Sequence, residues 1–227
     1  MKHLLVTGAS GNLGRELIQH FNFNDYDKIY LVGKREKINL SKFDGKNIEI
    51  FSEYDLSDEN YVKNIFEQIK ISKEDQIFVI HLVGGYTGGK FFWEYDLTEF
   101  RLMLDKNLVS AFLVSKFTAQ KLKEGSSGSI IFISARLAIN YEPKRSIYSI
   151  SKSALNFLVK VIEVEGKEIE LTVNALAPKI ILTEENKRWI PETDYSKYVS
   201  PEHIATQIEY IFKNYKRLNG NIFYLND

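Results

Sequence analysis

With 227 residues the chain can bury one substantial core, and a single domain spanning 1–227 is expected. Thirty basic residues offset thirty acidic ones, so no charge excess points to nucleic acid or to an anionic membrane. The absence of cysteine excludes disulfides, thiolate metal sites and a cysteine nucleophile.

Short apolar runs alternate with longer amphipathic segments along the chain. His3 to Val6 reads as a buried strand, and Asn12 to Phe23 as the helix that follows it. Lys28 to Val32 and Ile48 to Tyr54 read as the second and third strands, and Asp58 opens a helix that reaches about Ile69, with Asp58 or Ser57 placed to cap it. Gln76 to Val83 is the fourth strand, and Leu97 to Lys123 a long helix ended by Gly125-Ser-Ser-Gly128. Ser129 to Ser134 is the fifth strand, and Ser146 to Lys167 a second long helix. Leu171 to Leu176 is the sixth, halted at Pro178, before a last helix from Glu202 to Tyr215 and a closing strand from Ile222 to Leu225. This alternation predicts an α/β domain: a doubly wound parallel sheet of about seven strands, helices on both faces, and a ligand at the strands' carboxyl ends. Ile180 to Val199 fits neither period and is expected to serve as a substrate lid. Apolar runs such as Ile130 to Ile133 are too short to span a membrane, and the N-terminal run breaks at Gly8, so a cytoplasmic setting is expected.

Thr7-Gly-Ala-Ser-Gly-Asn-Leu-Gly14 closes the first strand and opens the first helix. Gly8, Gly11 and Gly14 let the backbone turn tightly and bring a pyrophosphate close to the helix N-terminus, as a dinucleotide requires. After the second strand stands Gly33-Lys34-Arg35, where an acidic residue would accept the ribose 2′-hydroxyl of NAD. Cations there favour a 2′-phosphate, so NADP is the preferred cofactor, with NAD as the other choice. Tyr148 and Lys152 stand four residues apart in the second long helix and so share a face. A nearby ammonium favours phenolate over phenol, which lowers the tyrosine pKa and makes a tunable proton donor and acceptor. Histidines 3, 20, 81 and 203 show no paired helical spacing, so no metal site is expected.

In this order, the glycine motif, Asp55-Leu56, Asn107 and Tyr148-Ser-Ile-Ser-Lys152 resemble the short-chain dehydrogenase/reductase family over essentially the whole chain. The resemblance implies a Rossmann-type fold and an NAD(P)-dependent oxidoreductase that acts on a carbonyl, an alcohol or a quinonoid ring of a small molecule. It implies that Tyr148 gives a proton to the substrate, that Lys152 lowers the tyrosine pKa and bonds the nicotinamide ribose, and that Asn107 joins a proton relay. Cofactor contacts are implied at Gly8, Ser10, Gly11, Asn12, Leu13 and Gly14 of the first loop, and at Lys34, Arg35, Asp55 and Leu56. Others are implied at Val83, Gly84 and Gly85, at Pro178 and Thr183 beside the nicotinamide amide, and at Tyr148 and Lys152 themselves.

Several positions depart from the family pattern. The family's catalytic serine usually stands thirteen residues before the tyrosine, which here is Ala135; Ser134, one residue earlier, reaches the site only if a loop insertion restores it. His81-Leu-Val-Gly84 replaces the usual Asn-Asn-Ala-Gly, so His81 is expected in the core or at the cofactor's edge. Ala135, together with Val83-Gly-Gly-Tyr-Thr-Gly-Gly89, is similar to one branch in particular, the quinonoid dihydropteridine reductases. Tyr86, Trp93 and Trp189 fall on expected cleft loops and are candidates for touching substrate. The resemblance also implies a homodimer or homotetramer through the two long helices. A second reading, an NADP-binding sensor or scaffold without turnover, is motivated by Ala135 and His81 and opposed by Tyr148, Lys152 and Asn107.

Overall fold

The computed structural model describes residues 1–52, 55–123 and 125–225. Seven strands form one parallel sheet: β1 (Lys2–Thr7), β2 (Lys28–Val32), β3 (Ile48–Phe51), β4 (Gln76–His81), β5 (Ser127–Ile133), β6 (Leu171–Pro178) and β7 (Ile222–Leu225). Their order is β3-β2-β1-β4-β5-β6-β7. The chain therefore winds outward in both directions from the β1–β4 pair, where Thr7 lies opposite His81, and a crevice opens at the carboxyl ends of these strands.

Period-two alternation divides the apolar residues between two cores. In β1, Leu4 and Val6 face one side and Leu5 the other, and all three are fully buried, as in a strand covered on both faces. The Leu4 side is closed by α1 (Asn12–His20) and α7 (Pro201–Lys213), through residues such as Leu17, Ile18, Ile204 and Ile208. The Leu5 side is closed by α2 (Glu59–Gln68), α4 (Ser110–Leu122) and α5 (Ser146–Glu165), through Val62, Phe66, Val114, Phe117, Leu155 and Val159.

The structure corrects several expected boundaries. The helix expected from Leu97 to Lys123 is present to Leu122, but α3 (Leu97–Leu104) and α4 are joined within it by a π-helical turn, Asp105–Val109. Such turns add a residue to the helical ladder and recur at functional sites; this one carries Asn107. β4 ends at His81, and Leu82 and Val83 leave the sheet. The third strand is seen to Phe51, and the expected continuation through Glu53 and Tyr54 lies outside the described residues. α1 stops at His20, because Phe21 and Phe23 turn inward against Tyr26 rather than continuing the helix. The irregular segment 180–199 has its own structure: α6 (Glu184–Lys187) and a 3-10 turn, Glu192–Lys197, above a parallel bridge between Ile181 and Val199. Its ends are thus held together, as in a compact surface loop. Among the described residues no helix is long and apolar enough to cross a membrane.

Candidate active site

The glycine motif forms a backbone cradle that side chains would fill. Gly8 has φ 72°, and a β-carbon there would sit 3.1 Å from the Leu82–Val83 backbone. A β-carbon on Gly14 would collide with the carbonyl of Gly8. Ser10 accepts the Lys34 amide at 2.9 Å, and the Ala9 amide bonds Val32 at 3.0 Å, so the loop is pinned to the end of β2. Lys34 and Arg35 are exposed beside it. These features fit a dinucleotide, whose pyrophosphate needs close backbone approach and whose outer ribose would lie toward the two cations.

The other residues expected to hold the cofactor are set by their own local contacts. Asp55 accepts the Ser57 hydroxyl at 2.6 Å and its amide at 2.9 Å, which holds the Asp55 carboxyl below its usual range, and Leu56 beside it is buried. Leu13 is half-buried in the first turn of α1. Asn12 donates across to Glu185, and the Glu184 amide donates to Glu16 at 2.8 Å, so α6 lies across the opening of α1. Thr183 is buried and caps α6 by accepting the Asn186 amide, and Pro178 ends β6.

A second cluster gathers around the π turn. Asn107 is buried; its Oδ1 accepts the Gly85 amide at 3.0 Å, and its Nδ2 donates to the Gly85 carbonyl at 2.9 Å and to Ser151 Oγ at 3.0 Å. Ser151 passes its own proton to the Tyr148 carbonyl at 2.8 Å. One hydrogen-bonded unit therefore joins the loop after β4, the π turn and the first turns of α5. Gly84 faces it closely, since a β-carbon there would stand 2.8 Å from Asn107 Oδ1 and 3.2 Å from Lys152 Nζ.

Lys152 is buried, and its ammonium donates to the Ile133 carbonyl at 2.8 Å. Burial lowers its pKa to about 8. Tyr148 is half-buried, with its ring edge-on to Tyr86 at 5.0 Å. The expected lowering of the tyrosine pKa is not what the structure gives. Burial, then the neighbouring Tyr86, push the Tyr148 hydroxyl well above its ordinary value. With Lys152 directed at the end of β5, desolvation prevails, and Tyr148 is a protonated phenol at neutral pH.

Ser134 is buried, and its hydroxyl donates to Asn156 at 2.6 Å, two helical turns beyond Tyr148; Ala135 is buried next to it. His81 is buried between Thr7, 2.8 Å from Nδ1, and Ser110, 3.3 Å from Nε2. Because the Ser110 proton goes to the Lys106 carbonyl, His81 must donate from Nε2 and accept the Thr7 proton at Nδ1. Burial, then the charge of Lys152, lower its pKa to about 3, so it is a neutral core residue that ties Thr7 of β1 to the start of α4.

Sequence reasoning missed Ser151, although a serine three residues after the tyrosine and adjacent to the lysine was the available signal. Of the three flagged aromatics, Tyr86 meets Tyr148, whereas Trp93 stacks on Phe91 at 4.8 Å and Trp189 is exposed. A cavity of about 790 Å³ lies at the opposite ends of the strands, beside Lys2, Gln76 and Tyr215, and contains none of these groups.

Comparison with known proteins bears on the family and the fold. A tropinone reductase homolog of Arabidopsis thaliana is 26% identical over 197 residues, covering 85% of this chain and 75% of that protein. A dihydropteridine reductase of Dictyostelium discoideum is 24% identical over 209 residues, covering 91% and 86%. The solved structure of ElxO with NADP bound shares the fold at a TM-score of 0.84 and 22% identity, covering 98% of this chain and 96% of that one. Residues 2–194 match the family model described as short chain dehydrogenase, and the chain belongs to that family.

Proposed function

We propose that this protein is an NADPH-dependent reductase of a carbonyl or quinonoid ring, with Tyr148 as the proton donor. The observation that carries this reading is the half-buried Tyr148, one helical turn before the buried Lys152 and joined through its carbonyl and Ser151 to Asn107, with Gly84 packed against both Asn107 and Lys152. A nicotinamide cofactor, when bound, supplies the hydride. The chain's part is to hold the loop after β4 through Asn107, to present the phenolic proton, and to keep a cation near the developing negative charge through Lys152. Ser134, its proton directed to Asn156, serves in this reading as an anchor between β5 and α5.

Exposed Lys34 and Arg35 support NADP over NAD, and the related ElxO structure contains NADP. The Tyr86 ring against Tyr148 and the likeness to a dihydropteridine reductase support a flat quinonoid acceptor. Ile150, Phe157 and Val164 are exposed at a spacing of seven along α5, and Leu102 of α3 and Phe112 of α4 are exposed as well. This apolar stripe supports a homodimer or homotetramer, and a cytoplasmic setting is proposed with it.

The test mixes pure protein and NADPH with quinonoid dihydropterin and a panel of small carbonyls, and follows nicotinamide absorbance. Consumption with at least one acceptor is expected. Tight NADPH binding with no consumption by any of them would favour a sensor instead.

A further inference from the structure

Arg145 occupies the N-cap of α5, a place that usually favours a carboxylate or a neutral cap because the helix dipole is positive there. It makes no side-chain cap, and the first turn of α5 contains no acid. Its guanidinium lies 5.4 Å from the centre of the Tyr86 ring, which in turn stands edge-on to Tyr148. Gly88 is what allows this approach. A β-carbon there would collide with the Tyr86 hydroxyl and lie 2.6 Å from Arg145 Nη1, so two polar groups converge where a side chain would be.

The turn that presents Arg145 is strained and anchored. Lys144 has φ 61°, a left-handed conformation that non-glycine residues rarely adopt, and its carbonyl accepts the Gly89 amide at 2.8 Å. The Lys144 ammonium lies 5.0 Å over the Phe91 ring. Among the described residues no ion pair involves Lys144 or Arg145. Glu142, which also acts on the Tyr86 hydroxyl, is the neighbouring acid, and it is exposed. The mouth beside Tyr148 thus offers an aromatic ring, a phenolic hydroxyl and a guanidinium without a paired carboxylate, next to the positive end of a helix.

We infer that this mouth selects substrates in which the reducible planar ring or carbonyl carries a carboxylate, with Arg145 as the specificity-determining cation. The inference deepens the reductase reading and rests on it. A guanidinium recognises a carboxylate through paired N–H donors, and Tyr86 sets how far that group stands from the reacting centre.

The test uses 4-formylbenzoate and its neutral methyl ester as probes, titrated calorimetrically into the NADP⁺-saturated protein. The acid is expected to bind about tenfold or more tightly than the ester, in keeping with a hydrogen bond to a charged group. Added salt should weaken the acid alone. Arg145→Met should bring the acid-to-ester ratio close to one, and Arg145→Lys should keep part of it. Equal binding of acid and ester, binding of neither, or an unchanged ratio in Arg145→Met would overturn the inference. Turnover separates the two proposals: selective binding of the acid with no reduction of either probe or of quinonoid dihydropterin removes the reductase reading, whereas reduction without selectivity removes only the role of Arg145.

Discussion

The Lys152 ammonium donates to the Ile133 carbonyl at 2.8 Å, which fixes a buried cation at the carboxyl end of β5, one helical turn from Tyr148. The same burial that isolates this charge lowers its pKa to about 8, from an ordinary value of 10.5. Reduction should therefore weaken as pH rises above about 8, when the ammonium loses its proton. A kcat/KM profile for NADPH-dependent reduction tests this, and a flat profile to pH 10 would count against a charged Lys152 in the reaction.

The same shift carries a stability prediction. The folded-state pKa lies below that of the unfolded chain, so the unfolded chain binds this proton more tightly. The penalty is complete below pH 8 and is relieved as pH rises toward 10.5. Urea unfolding of the native protein relative to Lys152→Met should gain up to about 3 kcal/mol across this window. A difference independent of pH would mean that Lys152 is solvated.

Asn107→Ala removes both partners of the Gly85 peptide group, as well as the donor to Ser151. We expect a loss of about 1–3 kcal/mol in urea unfolding, together with a fall in turnover. Gly84→Ala should fold well yet turn over poorly, because its new methyl group must displace either Asn107 or Lys152. Native activity in Gly84→Ala would show that this packing is not required.

Ser134→Ala should cost about 1 kcal/mol of stability, for the lost bond to Asn156, while kcat falls less than about tenfold. A loss of about 10²-fold or more would restore Ser134 as a catalytic hydroxyl.

Replacing Lys34 and Arg35 together with glutamate should raise the dissociation constant of NADPH while leaving that of NADH little changed or lower, since both are exposed and the Lys34 amide is bonded to Ser10 of the cradle. Equal losses for both cofactors would remove the case for a 2′-phosphate site.

The sheet was legible in the sequence because its strands are buried on both faces: Leu4-Leu5-Val6 and Ile130 to Ile133 are uninterrupted apolar runs. The glycine motif was equally legible, since close backbone contacts leave no alternative residue at Gly8 or Gly14. The π turn at Asp105–Val109 was not, because one added residue shifts the helical phase inside a stretch already rich in apolar side chains. Nor was the raised pKa of Tyr148, which depends on its burial in the folded chain and then on Tyr86 from a distant loop. The fate of Ser134 was likewise set by tertiary packing, where α5 places Asn156 against β5.

The central claim is that Tyr148 gives the proton, and steady-state reduction by Tyr148→Phe, measured alongside its NADPH affinity, tests it most directly. Turnover should fall about 10²-fold or more, with NADPH binding nearly intact, because the ring and its contact with Tyr86 remain. A variant that keeps most of its activity would contradict it.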